Sequence, residues 1–189
     1  MGAGALRISR RWAWLGAALA VAAALAPAAS GATAPVTGTI TPGGLSLSTT
    51  ATPSFSVALT GVSQTASYTV LSAIDATGSG SGWNVTITST QFTTGCGTPR
   101  TLPTTASAAT GVVAVCAGTE CTAPTNSVGY PLAVPAGPTA PTAVKLYNAS
   151  ADTGLGSFTL TPTVQVTVPG NAFAGSYTST LTLAVASGP

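Results

Sequence analysis

Beyond Ala26 the chain is dominated by short runs in which apolar and polar residues alternate, broken about every ten residues by Gly, Pro, Ser or Asn. Ser54-Phe55-Ser56-Val57-Ala58-Leu59, Ser67-Tyr68-Thr69-Val70, Trp83-Asn84-Val85-Thr86-Ile87-Thr88 and Ser157-Phe158-Thr159-Leu160-Thr161 all repeat with a period of two. That is the period of a strand with one buried face. Residues 45–48, 112–116, 144–147, 163–168 and 177–185 are further strand candidates. With no helical period after Ala26, the pattern predicts an all-β fold, an antiparallel β-sandwich of about 8–10 strands.

Two stretches, 98–110 and 122–142, are rich in Pro, Thr and Ala, lack a sustained period and read as long loops. Gly78-Ser79-Gly80-Ser81-Gly82 reads as a flexible turn that delivers the chain into the Trp83 run. A domain boundary within 98–110 would leave neither half enough strands to close a sandwich. The expectation is one domain over residues 33–189.

The N-terminal residues follow a different logic. Arg7, Arg10 and Arg11 lead into the apolar stretch from Trp12 to Ala26, and small residues follow from Pro27 to Ala32. This three-part layout predicts a secretory signal peptide over residues 1–32, cut after Ala32 or Ser30. Trp12 to Ala29 is nearly long enough to span a bilayer, but Pro27, the small residues and the missing charged flank favour cleavage, leaving no membrane anchor. Ser9-Arg10-Arg11 resembles the start of a twin-arginine signal, although Ala13 and Trp14 stand where such signals carry a bulky apolar pair.

Cleavage changes the charge. Of the five basic residues in the whole chain, Arg100 and Lys145 remain, against Asp75, Glu120 and Asp152, so the net charge falls from +2 to 2 − 3 = −1. Two cations cannot neutralise the phosphates of a duplex, which excludes nucleic acid as a main partner, and there is no basic patch to steer a polyanion. The chain is nevertheless 45% hydrophobic and can bury a core. Its surface is left to Thr and Ser, which solvate without charge, and Thr also favours a pleated backbone.

An exported chain with Cys96, Cys116 and Cys121 is expected to form a disulfide. Cys116 and Cys121 enclose four residues, the spacing of two strand ends across a short turn. The longer Cys96–Cys116 loop would gain about 3 kcal/mol against about 2 for the short one. Proximity during oxidation nonetheless favours Cys116–Cys121 and leaves Cys96 as a thiol. Zinc is not expected, because the chain has no His and three thiolates would need a fourth ligand.

Catalytic chemistry is equally sparse. Without His the usual general base and triad partner is missing. Asp75, Glu120 and Asp152 fall in three separate turn-like contexts, where solvated turn formers are the simplest reading. Lys145 lies in an alternating run and is expected to face solvent. No catalytic residue, cofactor or metal is predicted. Asn84-Val85-Thr86 and Asn148-Ala149-Ser150 match the glycosylation pattern, but the Ala- and Arg-rich leader reads as bacterial and both are taken as chance matches. The Thr-x-Thr pairs at 37/39/41, 86/88/90 and 159/161/163 are expected to be solvent sides of strands rather than an ice- or sugar-binding array.

Gly82-Trp83-Asn84-Val85, followed much later by Ala174-Gly175-Ser176-Tyr177 and Leu183-Ala184-Val185, resembles the WxL-domain family of bacterial surface proteins. That family carries a Gly-Trp-x-Leu strand, then an Ala-Gly-x-Tyr strand ending in a second Trp-x-Leu. Here Val85 replaces the first Leu, and the second motif lacks its Trp. The resemblance, across residues 37–189, implies a β-rich protein held non-covalently on the Gram-positive wall, with Trp83, Val85, Tyr177, Leu183 and Val185 as motif positions and candidate wall-binding residues.

Physically, Trp83 shares a strand face with Val85 and Ile87 and is expected in the core; a sugar platform would need its indole exposed. The chain has neither a lipobox Cys after the leader nor a sorting motif after the last run. The expected function is therefore a secreted, cell-wall-associated, non-catalytic protein whose partner is wall polymer (peptidoglycan) or another surface protein. The alternative is a coat- or fimbria-like subunit that docks by strand addition, with an unrecognised hydrolase a weaker third.

Overall fold

The computed structural model describes residues 35–49, 52–76, 78–95 and 97–189, and residues 39–189 pack as one compact unit. The expected leader at 1–32 and Cys96 lie outside the described residues. Among those described there is no helix. The strands are β1 (Ser46–Thr49), β2 (Gln64–Thr69), β3 (Ser72–Ala76), β4 (Trp83–Thr90), β5 (Ser107–Cys116), β6 (Leu132–Ala133), β7 (Ala136–Gly137), β8 (Val144–Ala149), β9 (Gly156–Val168) and β10 (Leu181–Ser187). One sheet runs β1-β3-β9-β5-β6, with β2 also on β9; the other runs β10-β4-β7, with β8 also on β4. Every pairing is antiparallel except the short contact of β4 with β7.

β9 is the long central strand. Its alternate residues Phe158, Leu160, Pro162, Val164, Val166 and Val168 are all buried, while Thr159, Thr161, Thr163 and Gln165 lie on the other face. A proline inside a central strand removes a ladder donor and is normally confined to edges or bulges. Pro162 sits where that loss is absorbed. On one side β2 ends at Thr69 and β3 begins at Ser72, with Val70 N–H donating to the Pro162 carbonyl at 3.0 Å. On the β5 side, which the Pro162 nitrogen does not face, the register shifts between Ala109 and Gly111.

The main apolar cluster draws on both sheets. Ile74, Phe158, Leu160 and Val164 from one meet Trp83, Val85, Ile87, Leu146 and Tyr147 from the other. A smaller cluster of Leu102, Ala106, Val166 and Val168 lies beside it, with Phe55, Val57, Tyr68, Phe92 and Tyr177 packed against it.

Several strand boundaries differ from the sequence expectation. The alternating run 54–59 is not hydrogen-bonded into either sheet, although Phe55 and Val57 are half-buried, so the alternation reflects packing without a ladder. The two runs expected at 157–161 and 163–168 form the single strand β9. β5 starts at Ser107, inside the stretch expected to be a loop, and β3, β6 and β7 were not anticipated. The other long stretch is held by side chains. Asn148 N–H donates to Asn126 Oδ1 at 3.1 Å, Ser127 N–H donates to Asn148 Oδ1 at 2.9 Å, and the Tyr130 hydroxyl donates to the Leu146 carbonyl at 2.6 Å.

Cys116, the last residue of β5, is bridged to Cys121 with the Cα atoms 6.0 Å apart. Gly156, at φ 100°, opens β9 against this loop; a Cβ there would lie 2.8 Å from the Glu120 carbonyl oxygen and 3.3 Å from Cys121 Sγ. Peptide mapping of the non-reduced protein is expected to yield Cys116 joined to Cys121 and Cys96 alkylatable. Opening the bridge should cost about 2 kcal/mol in denaturant melts. Recovery of Cys96 in an intramolecular bridge would contradict this pairing.

Candidate functional site

Trp83, at the start of β4, is 2% exposed. Its Nε1–H donates to the Gly154 carbonyl at 2.8 Å. The ring stacks on Tyr147 at 5.8 Å between centroids and tilts against Phe158 at 6.4 Å. This approach depends on Gly154, which has φ 66°; a Cβ there would stand 2.7 Å from the indole nitrogen. With both its donor and its ring faces engaged, the indole offers no stacking surface to a ligand.

Val85 is buried beside it, whereas Leu183 and Val185 on β10 are half-buried. The ladder between the strands sets Val185 opposite Val85, Leu183 opposite Ile87 and Ser187 opposite Trp83. Tyr177 lies before β10 rather than in it, half-buried, with its hydroxyl donating to the Phe173 carbonyl at 3.0 Å.

The ionisable groups do not converge on one place. Asp75 belongs to β3, Glu120 is exposed within the disulfide turn, and Asp152 is exposed at φ 61°. Lys145 is exposed on β8, and Arg100 lies over the Phe173 ring at 3.9 Å. Among the described residues no group of three or more His, Cys, Asp or Glu could hold a metal ion. The two Asn-x-Ser/Thr matches fall on engaged side chains: Asn148 is 2% exposed, and Asn84 Nδ2–H donates to the Gly188 carbonyl at 2.7 Å.

Two neutral surfaces emerge instead. On the β2–β9 ladder Thr65 faces Thr167, Ser67 faces Gln165 and Thr69 faces Thr163, all exposed or half-exposed. Adjacent strands lie about 4.8 Å apart, so these six side chains form a hydroxyl- and amide-bearing array. Thr163 was expected only as the solvent side of a strand, and its partners across the ladder become visible only through strand pairing.

The second surface is a groove of about 970 Å³ between the stretch 52–59 and residues 173–183, based on Tyr68, Phe92, Leu102 and Val168. That volume is at the upper end of ordinary ligand pockets, roughly 300–1,000 Å³. No charged residue lines it. Phe55 stacks on Tyr68 at 6.1 Å and meets Phe92 edge-on at 5.6 Å. Burial pushes the Tyr68 hydroxyl up to about 12, and burial likewise raises Tyr130 and Tyr147. Sequence reasoning found neither the groove nor the array, because each depends on how distant strands sit together. No family model, curated protein or solved structure matches this chain.

Trp83→Ala is expected to lower stability by about 3–5 kcal/mol, read by denaturant melts. Gly154→Ala, which touches no surface group, should cost more than ~1 kcal/mol through its positive φ and the displaced indole. A Trp83→Ala protein that melts like the parent would contradict the core assignment. Tyr68 gives a pH test. It stays neutral in the fold up to about 12, whereas an unfolded tyrosine ionises near ~10. Its contribution is therefore complete below the unfolded value and lost as pH rises toward the folded one. Thermal melts should fall across that alkaline window, and Tyr68→Phe should flatten the fall.

Proposed function

We propose that this chain is an exported, non-catalytic β-sandwich held non-covalently on the bacterial cell wall, a WxL-like surface module. The observation that carries the reading is the register of β4 and β10. The two degenerate motifs, Trp83-Asn84-Val85 and Leu183-Ala184-Val185, are about a hundred residues apart in sequence yet lie side by side in one ladder, with Val85 opposite Val185. Motif segments that build one sheet together act as a folding unit, which accounts for a Trp kept in the core rather than offered to ligand.

Two sheets sharing one apolar cluster support the sandwich. The contact with wall polymer falls to the neutral polar array of Thr65, Ser67, Thr69, Thr163, Gln165 and Thr167. Hydroxylated polymers such as peptidoglycan glycan strands match such a face by hydrogen bonding, without the cations that a polyanion needs. A leader at 1–32 would deliver the protein to that compartment.

A second reading, a coat- or fimbria-like subunit docking by strand addition, is favoured by β10, which pairs with β4 alone among the described strands.

The test is sedimentation of residues 33–189 with purified peptidoglycan beside a control sandwich of similar charge. Retention well above the control is expected. Ser67→Glu with Thr167→Glu, both on exposed positions, should reduce retention about tenfold, which is ~1.4 kcal/mol, at unchanged melting temperature. Sedimentation no better than the control would overturn wall association.

A further inference from the structure

We infer that the neutral groove receives residues 36–41 of a second copy of this chain as an added strand, so that copies join head to tail. The inference rests on the strand-addition reading and names its donor and acceptor. The acceptor is defined by hydrogen bonding. Thr90 N–H donates to the Thr180 carbonyl and Gly188 N–H donates to the Gly82 carbonyl, so the even-numbered residues of β10 spend their backbone groups on β4. In an antiparallel strand the intervening residues turn theirs the other way. Leu181 and Leu183 thus point N–H and C=O away from β4, and both line the groove. The opposite wall, 52–59, also lies outside both ladders.

The donor has the matching pattern. Val36-Thr37-Gly38-Thr39-Ile40-Thr41 is bracketed by Pro35 and Pro42, which lack the N–H to continue a ladder. Residues 35–44 are exposed, with Val36 95% and Ile40 97% accessible. Val36, Gly38 and Ile40 fall on one side of a period-two strand, with threonines on the other. An extended stretch of six residues spans about 20 Å, comparable to the eight-residue wall at 52–59. Charge is complementary in the simplest sense. No charged residue occurs from Trp12 to Ile74, and none lines the groove, so insertion buries no unpaired ion. Because donor and acceptor are different surfaces, a one-way contact is heterologous and leaves one arm and one groove free for further copies.

The test uses residues 33–189 carrying Cys96→Ser, so that no intermolecular disulfide can link copies, followed by sedimentation velocity over a roughly 100-fold concentration range. The unsubstituted chain is expected to grow past dimers. Ile40→Asp removes the donor and Ser176→Lys obstructs the acceptor; both positions are exposed. Each should be monomeric alone at unchanged melting temperature. Leu183→Arg serves as a second acceptor variant if Ser176→Lys melts early. An equimolar mixture of donor and acceptor variants should restore association but stop at one-to-one dimers, because each lacks the surface needed for a third copy. Assemblies that persist in Ile40→Asp would overturn the arm while leaving strand addition standing. A mixture that stays monomeric would overturn the pairing of arm and groove, and an unsubstituted chain that is monomeric throughout would overturn both.

Discussion

Continuous pairing along both edges of β9 is the constraint on which the larger sheet depends. This strand carries six of the inward side chains and holds β2, β3 and β5 in register. It does so with a proline at its centre, which is tolerated because the ladder is interrupted on the side that its nitrogen faces. β2 gives way to β3 on one side, and β5 slips by a residue on the other. Closing the break between β2 and β3 would set a ladder acceptor against a nitrogen with no proton. The break between β2 and β3 thus meets the missing donor of Pro162, whereas the slip in β5 lies on the side that the Pro162 nitrogen does not face.

A surface with so few ions shapes what the protein can do. The five charged residues after position 32 belong to separate turns and strands, so long-range attraction has no place to concentrate. Recognition falls to hydroxyls, amides, aromatic rings and backbone edges. Such contacts work at short range and are only slightly weakened by salt. The same neutrality carries a hazard, since little repulsion keeps copies apart; a free β10 edge is then either covered by design or a route to uncontrolled association.

Much of the fold was legible in the residues. β4 and β9 announced themselves because one face of each is buried and the other wet, so burial writes itself into the sequence with a period of two. The same signal misled at 54–59, where Phe55 and Val57 do pack inward but no neighbour bonds the backbone; alternation reports packing and is silent about pairing. β5 was hidden in its first half because Ser107-Ala108-Ala109-Thr110-Gly111 has small residues with little contrast, and the two-residue strands β6 and β7 are too short to carry a period. Cys116 and Cys121 could be matched because proximity in sequence was itself the argument. The groove and the Thr65/Thr167 array had no local signature, since each is made by segments about a hundred residues apart.

The setting of Trp83 has an optical consequence. The chain's other indoles, Trp12 and Trp14, both precede residue 33, so any preparation begun after residue 32 contains a single tryptophan. That chromophore is sealed from water, hydrogen-bonded to a backbone carbonyl and stacked on Tyr147, and it sits in the cluster to which both sheets contribute. Its emission is therefore a native gauge of whether the two sheets are together: blue-shifted and shielded from dissolved quenchers while they are, red-shifted and quenched once they part. Occupancy of the groove, built on Tyr68 and Phe92 in the neighbouring cluster, would leave that signal in place, so a ligand or neighbour arriving there can be told apart from a molecule coming undone.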